Sequence, residues 1–399
     1  MHLRVSVRRF VQLSKKITLT FNPETKGLKM KTEKLLFGLL ILVAAIAAAV
    51  FFYKQSQDVS EKTLSTAKET KVGFVYVGPI GDHGWTYQHN AGRLALEKSL
   101  GTKIKTSYVE SVKEGPDSER VIQQLASSGH KVIFTTSFGF MNPTIKVAKK
   151  FPNVKFEHAT GYKQDENVGT YSARFYEGRY IAGVIAGKVS KTNKIGYVAS
   201  FPIPEVVRGI NAFLLGARSV NPEMTISVVW VNSWYDPGKE GDAAKALIDQ
   251  GADIISQHTD SPAPLQVAEN RGVKGFGQAS DMIKFAPKAQ LSAIVNNWDN
   301  YYVERTKAAI DGSWKSQDVW YGLKEGMVKM APYTNMPDDV QALAKKTEEA
   351  IRSGALHPFS GPIKDQTGKI VVEAGKVADA GMLLGMNFYV EGVQGSLPK

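Results

Sequence analysis

Short runs of β-branched and aromatic residues alternate with amphipathic stretches twice over along this chain, and that alternation limits the fold more than any other feature. Strand-like runs begin at Lys71 (KVGFVYVG), Lys103 (KIKTSYVES), Lys131 (KVIFTTS), Val154 (VKFEHA) and Asn167 (NVGTYSA), with helical stretches near 86–99, 117–128 and 142–150 between the earlier ones. A second series has the same rhythm, beginning at Asn193 (NKIGYVAS), Thr225 (TISVVWVNS), Ala252 (ADIISQH), Val273 (VKGFGQ) and Leu291 (LSAIVNN). Alternation of this kind requires parallel sheets with right-handed crossovers, and ligands then sit beyond the carboxyl ends of the strands. The expectation is an α/β protein of two lobes whose strand ends face each other across a cleft.

The segments that follow the strands support a cleft. GPIGDHGW follows the first strand, SFGFMNP the third, SFPIPEVVRG the first of the second series, NSWYDPGKEG its second, HTDSPAP its third and GQASDM its fourth. These loops are polar or aromatic, with Gly or Pro to shape the backbone, and several open a helix whose N-terminal amides can bind a polar ligand. Aromatics placed at a turn lose apolar burial unless something lands on them.

The net charge of +12 invites a nucleic-acid reading, but its distribution argues against one. Residues 1–54 hold ten Lys or Arg against Glu24 and Glu33, a net of +8, which leaves +4 for the rest of the chain. The stretch from Met30 has a basic start, an apolar run from Leu35 to Tyr53 and small residues at Ala47 to Ala49. It reads as an export signal with Met30 as the start, or as an uncleaved N-terminal anchor. With no cysteine in the chain, lipid attachment, disulfides and thiolate metal sites are excluded. An exported, cysteine-free, two-lobed protein fits the periplasm.

The segments GPIGDHGWTYQHNAGR, NSWYDPGKEGDAAKALIDQGADIISQHTDS, GFGQASDM, KSQDVWYGLKEGMVKMAPY, HPFSGPIKDQTGKIVVEAGK and YVEGVQGSLPK together resemble the basic membrane protein (BMP) family of ABC-transporter substrate-binding proteins, which includes the purine nucleoside receptor A group. The likeness runs from about Lys71 to the C-terminus. It implies a type I periplasmic-binding-protein fold, with two Rossmann-like lobes, a multi-segment hinge and a purine buried on closure. It also implies an ABC permease in the inner membrane as partner, a monomer, and no cofactor. The organisation expected is a leader at 1–54, a linker at 55–70, an N-terminal lobe at 71–192, a C-terminal lobe at 193–295, and recrossing segments at 296–399. The last contain a helix near 337–353 and a turn at KDQTGK.

In the nucleoside-binding relatives an Asp and an aromatic of the first loop receive the base, and these match Asp82 and Trp85; a second aromatic completes the stack and matches Trp234. Physically, two indoles facing a flat heterocycle would each contribute about 1–3 kcal/mol of stacking. Where those relatives tend to carry GxDxDQ this chain has GFGQASDM, so Ala279 replaces an acid suited to ribose hydroxyls while Asp281 remains. His258 and Asp260 add bulk at the cleft, and the combination suggests a free nucleobase such as adenine.

Other residues carry two readings each. Asp82 contacts the ligand or caps the following helix; Arg208 donates to ring nitrogens or forms a surface ion pair; Trp298 lines the ligand or the hinge. Phe138, Asn142 and Phe201 lie in strand-end loops, and Asp236 with Pro237 reads as a helix cap. His83 and His89 lack the spacing and third ligand of a metal site. A nucleoside hydrolase built from Asp82, His83, His258, Asp260 and Asp281 is disfavoured, because those residues are dispersed over loops of both lobes. A membrane-anchored sensor ectodomain would share the same cleft.

Overall fold

The computed structural model describes residues 38–55 and 69–398, so residues 1–37, including the expected start at Met30, and linker residues 56–68 lie outside the described residues. The chain divides into two units, Met1–Lys68 and Glu69–Lys399. In the first, Gly38–Gln55 forms one helix, α1, with mean hydropathy 1.9. By length and composition it suffices to cross a membrane: at 1.5 Å per residue it spans about 27 Å, close to a hydrocarbon core of about 30 Å.

Among the described residues the second unit holds two large sheets and one two-stranded sheet. The first is built on β1 (Thr70–Val75), β2 (Ile104–Val109), β3 (Val132–Thr135), β4 (Lys155–Ala159) and β5 (Val168–Ala173), all parallel, in the order β5-β4-β3-β1-β2. The second repeats this topology with β6 (Lys194–Ala199), β7 (Thr225–Trp230), β8 (Ile254–His258), β9 (Lys274–Ala279) and β10 (Gln290–Asn296), in the order β10-β9-β8-β6-β7. Parallel strands covered on both faces read as unbroken apolar runs. In β1 Val72, Phe74 and Val75 are fully buried, and all of β3 is buried.

Helices α2 (Trp85–Leu100), α3 (Pro116–Ser127) and α4 (Met141–Ala148) accompany the first sheet, and α6 (Pro204–Arg218), α7 (Pro237–Asp249) and α8 (Ala263–Arg271) the second. Between them, α5 (Phe175–Val189) makes the first crossing from sheet to sheet. It packs backbone to backbone on α6: a Cβ on Gly183 would lie 1.9 Å from the Phe213 carbonyl oxygen, and one on Gly216 would lie 2.1 Å from that of Tyr180. Only glycine allows this approach.

The chain returns to the first sheet through α9 (Asp299–Asp311), placing β11 (Asp318–Tyr321) parallel to β5. It crosses once more so that β12 (Val328–Met330) runs antiparallel to β10. After α10 (Asp338–Ser353) come the hairpin β13 (Ile363–Lys364) and β14 (Ile370–Val372), then α11 (Ala380–Leu384) and β15 (Val393–Gln394), which joins the second sheet beside β7. The KDQTGK turn links the hairpin, with the Asp365 carboxylate accepting from the amides of Thr367 and Lys369. Three covalent crossings between two sheets make a hinge.

Candidate functional site

In a sheet of order 2-1-3-4-5 the connections on either side of the first strand run to opposite faces, leaving a crevice at the carboxyl ends of strands 1 and 3. Both sheets have this switch point, at β1/β3 and at β6/β8. The two face one another across a cavity with an empty volume of about 330 Å³. It is lined by Val77 and Trp85 after β1, Ser137 and Phe138 after β3, and Thr160 after β4; from the other lobe come Glu205, Trp234, His258, Asp260 and Gln278. Of the residues expected from sequence, Trp85, Phe138, Trp234, His258 and Asp260 are brought together here.

Each indole is held from behind. The Trp85 Nε1 donates to the Thr136 carbonyl at 2.6 Å, and its ring meets His89 and Trp298 edge-on at 4.4 and 5.6 Å. Trp298 is fully buried and stacks on His89 at 4.6 Å, so it supports Trp85 from inside the lobe without reaching the cavity wall. Across the cleft Phe201 lies 5.1 Å from the half-buried Trp234 ring and supports it in the same way.

The lobes are in contact at the cleft mouth. A Cβ on Gly84 would fall 2.2 Å from the Asp260 carbonyl oxygen, the Ser280 hydroxyl donates to the His83 carbonyl, and the His83 ring packs on Phe285 at 4.7 Å. This is a closed arrangement.

Charge is distributed unevenly around the cavity. Glu205, in the first turn of α6, stands 3.6 Å from the His258 Nε2, and its charge offsets part of the burial that lowers the pKa values of Arg179 and Arg208. Arg179 donates to the Gln278 side-chain oxygen. His258 is biased toward its neutral form by burial. Asp260 is 3% exposed, and its side chain makes no hydrogen bond among the described residues. Burial first, then the charges of Asp82 and Glu240, push its carboxyl well above the usual range.

The sequence profile of the Bmp family, described as ABC transporter substrate-binding protein PnrA-like, matches residues 69–356. The chain belongs to this family. It is 63% identical over 332 residues to a purine-binding protein of Brucella abortus, covering 83% of this chain and 95% of the relative. It is 39% identical to a Haloferax volcanii protein provisionally named as an ABC transporter glucose-binding protein, over 84% and 83% of the two chains. A solved ABC-transporter solute-binding protein from Aeropyrum pernix superposes with a TM-score of 0.63 at 19% identity, covering 74% of this chain and 93% of that one. The fold is the type I periplasmic binding-protein fold.

Among the residues that the Bmp resemblance points to, Asp82 has a structural task. One carboxylate oxygen accepts from the amides of Gly84 and Tyr87 and the other from that of Thr86, at 2.8 to 2.9 Å, and the side chain is fully buried below the start of α2. Three amides occupy the carboxylate, which is absent from the cavity wall; an acid is needed here because the first amides of a helix have no partner within it. Burial, only partly offset by these amides, pushes its pKa up to about 6.

Three further expected residues also lie off the wall. Arg208 is buried, donates to the Leu383 carbonyl and stacks over Tyr176 and Trp320; it lines an adjoining cavity that shares Phe138, Thr160 and Glu205 with the first. Its place one turn into α6 carries it past the strand ends, so it forms neither a surface ion pair nor part of the slot. Asn142 is exposed on α4 and accepts from Lys163, while Asp281 is exposed and accepts from the Ile283 amide and the Gln290 side chain. Ala279 is fully buried at a φ of +61°, behind the wall. Asp236 caps α7, accepting from the Lys239 amide at 3.1 Å.

Sequence reasoning missed Ser137, Thr160, Glu205 and Gln278. The available signal was positional: Glu205 follows Pro204 at the first turn of α6, and Gln278 is the penultimate residue of β9, so both sit at the strand-end level. His89 is buried in the aromatic cluster, where burial holds it neutral, and among the described residues no group of three His, Cys, Asp or Glu could hold a metal.

Proposed function

We propose that this protein captures a purine for an ABC importer, taking a free base such as adenine in preference to a nucleoside. The observation that carries this reading is the pair Trp85 and Trp234, one from each lobe, bounding a single closed slot. A flat heterocycle between them gains stacking of about 1–3 kcal/mol per ring face. Only closure brings both faces to the ligand, so the ligand favours the closed population, and a permease can read that state from surfaces on both lobes.

Preference for the base is supported by size. Between its walls the slot leaves only about 20 Å³ open to the centre of a water-sized sphere, so it suits a flat ring better than a ring carrying a bulky sugar. A nucleoside would have to direct its sugar past Glu205 into the adjoining cavity. The high identity to the Brucella abortus purine-binding protein supports the ligand class. Binding without chemistry accords with a family of substrate-binding proteins.

The setting proposed is the periplasm, with a monomeric binding unit exported by the leader or tethered by an uncleaved α1. A membrane-anchored sensor with the same cleft is the second reading, favoured by the apolar length of α1; recovery of the mature chain from the soluble periplasmic fraction would exclude it. The ligand is tested by mass spectrometry of small molecules released on denaturation, followed by calorimetric titration with adenine, guanine, adenosine, inosine and glucose. Tighter binding of adenine than adenosine supports the proposal. Tighter binding of adenosine removes the base preference, and binding of glucose alone removes the purine.

A further inference from the structure

Asp260 poses a problem that the capture mechanism alone leaves open. It faces the slot at 3% exposure, yet no amide, hydroxyl or cation among the described residues meets its carboxyl. The buried cations near the slot are engaged elsewhere, Arg179 with Gln278 and Arg208 with Leu383 and the rings of Tyr176 and Trp320. An ionised carboxylate left in such a place is strongly disfavoured.

The groups around it are acidic or neutral. From the first lobe comes Asp82, its oxygens already taken by three amides. From α7 comes Glu240, which accepts from Ser261 and the Asp236 amide. Tyr235 shares the field of both acids, His258 at the end of β8, two residues before Asp260, is biased to its neutral form, and His83 beside Gly84 is disfavoured as a cation by burial and by Lys284.

We infer that Asp260 receives the ligand as a neutral carboxylic acid, donating its O–H to a ring nitrogen of the purine while its carbonyl oxygen accepts from the neighbouring amino N–H. The inference rests on the purine reading and names the ligand edge: one acceptor beside one donor, as in the amidine edge of adenine. A protonated carboxyl supplies that donor and acceptor pair, whereas an ionised one only accepts. The raised pKa of Asp260 agrees with this, since burial and the two neighbouring acids both favour the proton. Closure supplies part of the effect, because Asp82 belongs to the opposite lobe. Capture is therefore linked to holding one proton at Asp260.

The test is calorimetric titration of the full-length protein with adenine from pH 5 to 9, in buffers of different ionisation enthalpy, for the wild type and for Asp260→Asn and Asp260→Leu. A carboxamide has a donor and an acceptor in the same places but does not titrate. The expected result is a wild-type Kd that rises by up to about tenfold per pH unit on the alkaline side, with proton uptake on binding. Asp260→Asn should keep its affinity within about threefold across the range, and Asp260→Leu should lose at least about tenfold. A pH-independent wild-type affinity without proton uptake would overturn the inference even if the asparagine variant failed to fold, and so would loss of binding in a folded Asp260→Asn. Failure of the wild type to bind adenine at any pH would instead remove the adenine reading on which the inference rests.

Discussion

Gly84 and Asp260 meet backbone to backbone across the cleft, so closely that a Cβ on Gly84 would lie 2.2 Å from the Asp260 carbonyl oxygen. A side chain at this position must push the lobes apart, because the obstacle is main chain. Gly84→Ala is expected to weaken adenine binding by at least about tenfold, while the unliganded protein, free to stay open, keeps its melting temperature within about 2 °C. Small-angle scattering provides the second readout: adenine should compact the wild type and leave the variant extended. Normal compaction of the variant would remove Gly84 as the contact that limits closure.

Trp234 offers the cleaner test of stacking, because Trp85 is also tied into its lobe through Thr136, His89 and Trp298. Trp234→Ala is expected to lose about 1–3 kcal/mol, or roughly 5- to 150-fold in Kd. Lys188→Ala, on the exposed face of the last turn of α5, is expected to change nothing. Titrations of the two variants side by side check this, and equal effects would sink the stacking model.

Asp82 separates a capping role from a ligand role. Asp82→Ala leaves the amides of Gly84, Thr86 and Tyr87 without their acceptor at a buried helix start. The expected loss of folding stability is about 1–3 kcal/mol, read from urea denaturation. A variant as stable as the wild type that nonetheless failed to bind would return Asp82 to the ligand.

These contrasts show what the sequence could disclose. The lobes were legible because parallel strands covered on both faces leave unbroken apolar runs, as in β1 and β3. The returns β11, β12 and β15 were not, since strands of two to four residues take their pattern from the edge they join. Trp85 and Trp234 stood out because large aromatics after a strand have little reason to be there except contact. Asp82 was ambiguous because a helix start and a purine amine both want a carboxylate in the same place. Glu205 was passed over for Arg208 because one turn of helix, invisible as a difference in sequence, separates the strand-end level from the hinge.

His158 gives the fold a titration that can be read against a control. It sits at the end of β4, fully buried, with its Nδ1 paired to the Thr135 hydroxyl at 3.0 Å and its ring against the Gly161 backbone. Burial lowers its pKa to about 3. The unfolded chain therefore binds a proton below about pH 6.5 that the folded chain refuses until about pH 3, so stability is fully present above that window and drains away as pH falls through it. Asp82, with its pKa raised to about 6, acts in the opposite sense between pH 6 and its unfolded value, so the total profile alone is not diagnostic. The difference between wild type and His158→Gln isolates the histidine, because the amide does not titrate. As pH falls from 6 to 4 the wild type should lose stability relative to the variant by up to about 1.4 kcal/mol per pH unit, measured by denaturant unfolding at each pH. A constant difference across that range would mean that His158 takes its proton in the folded state as readily as in the unfolded one.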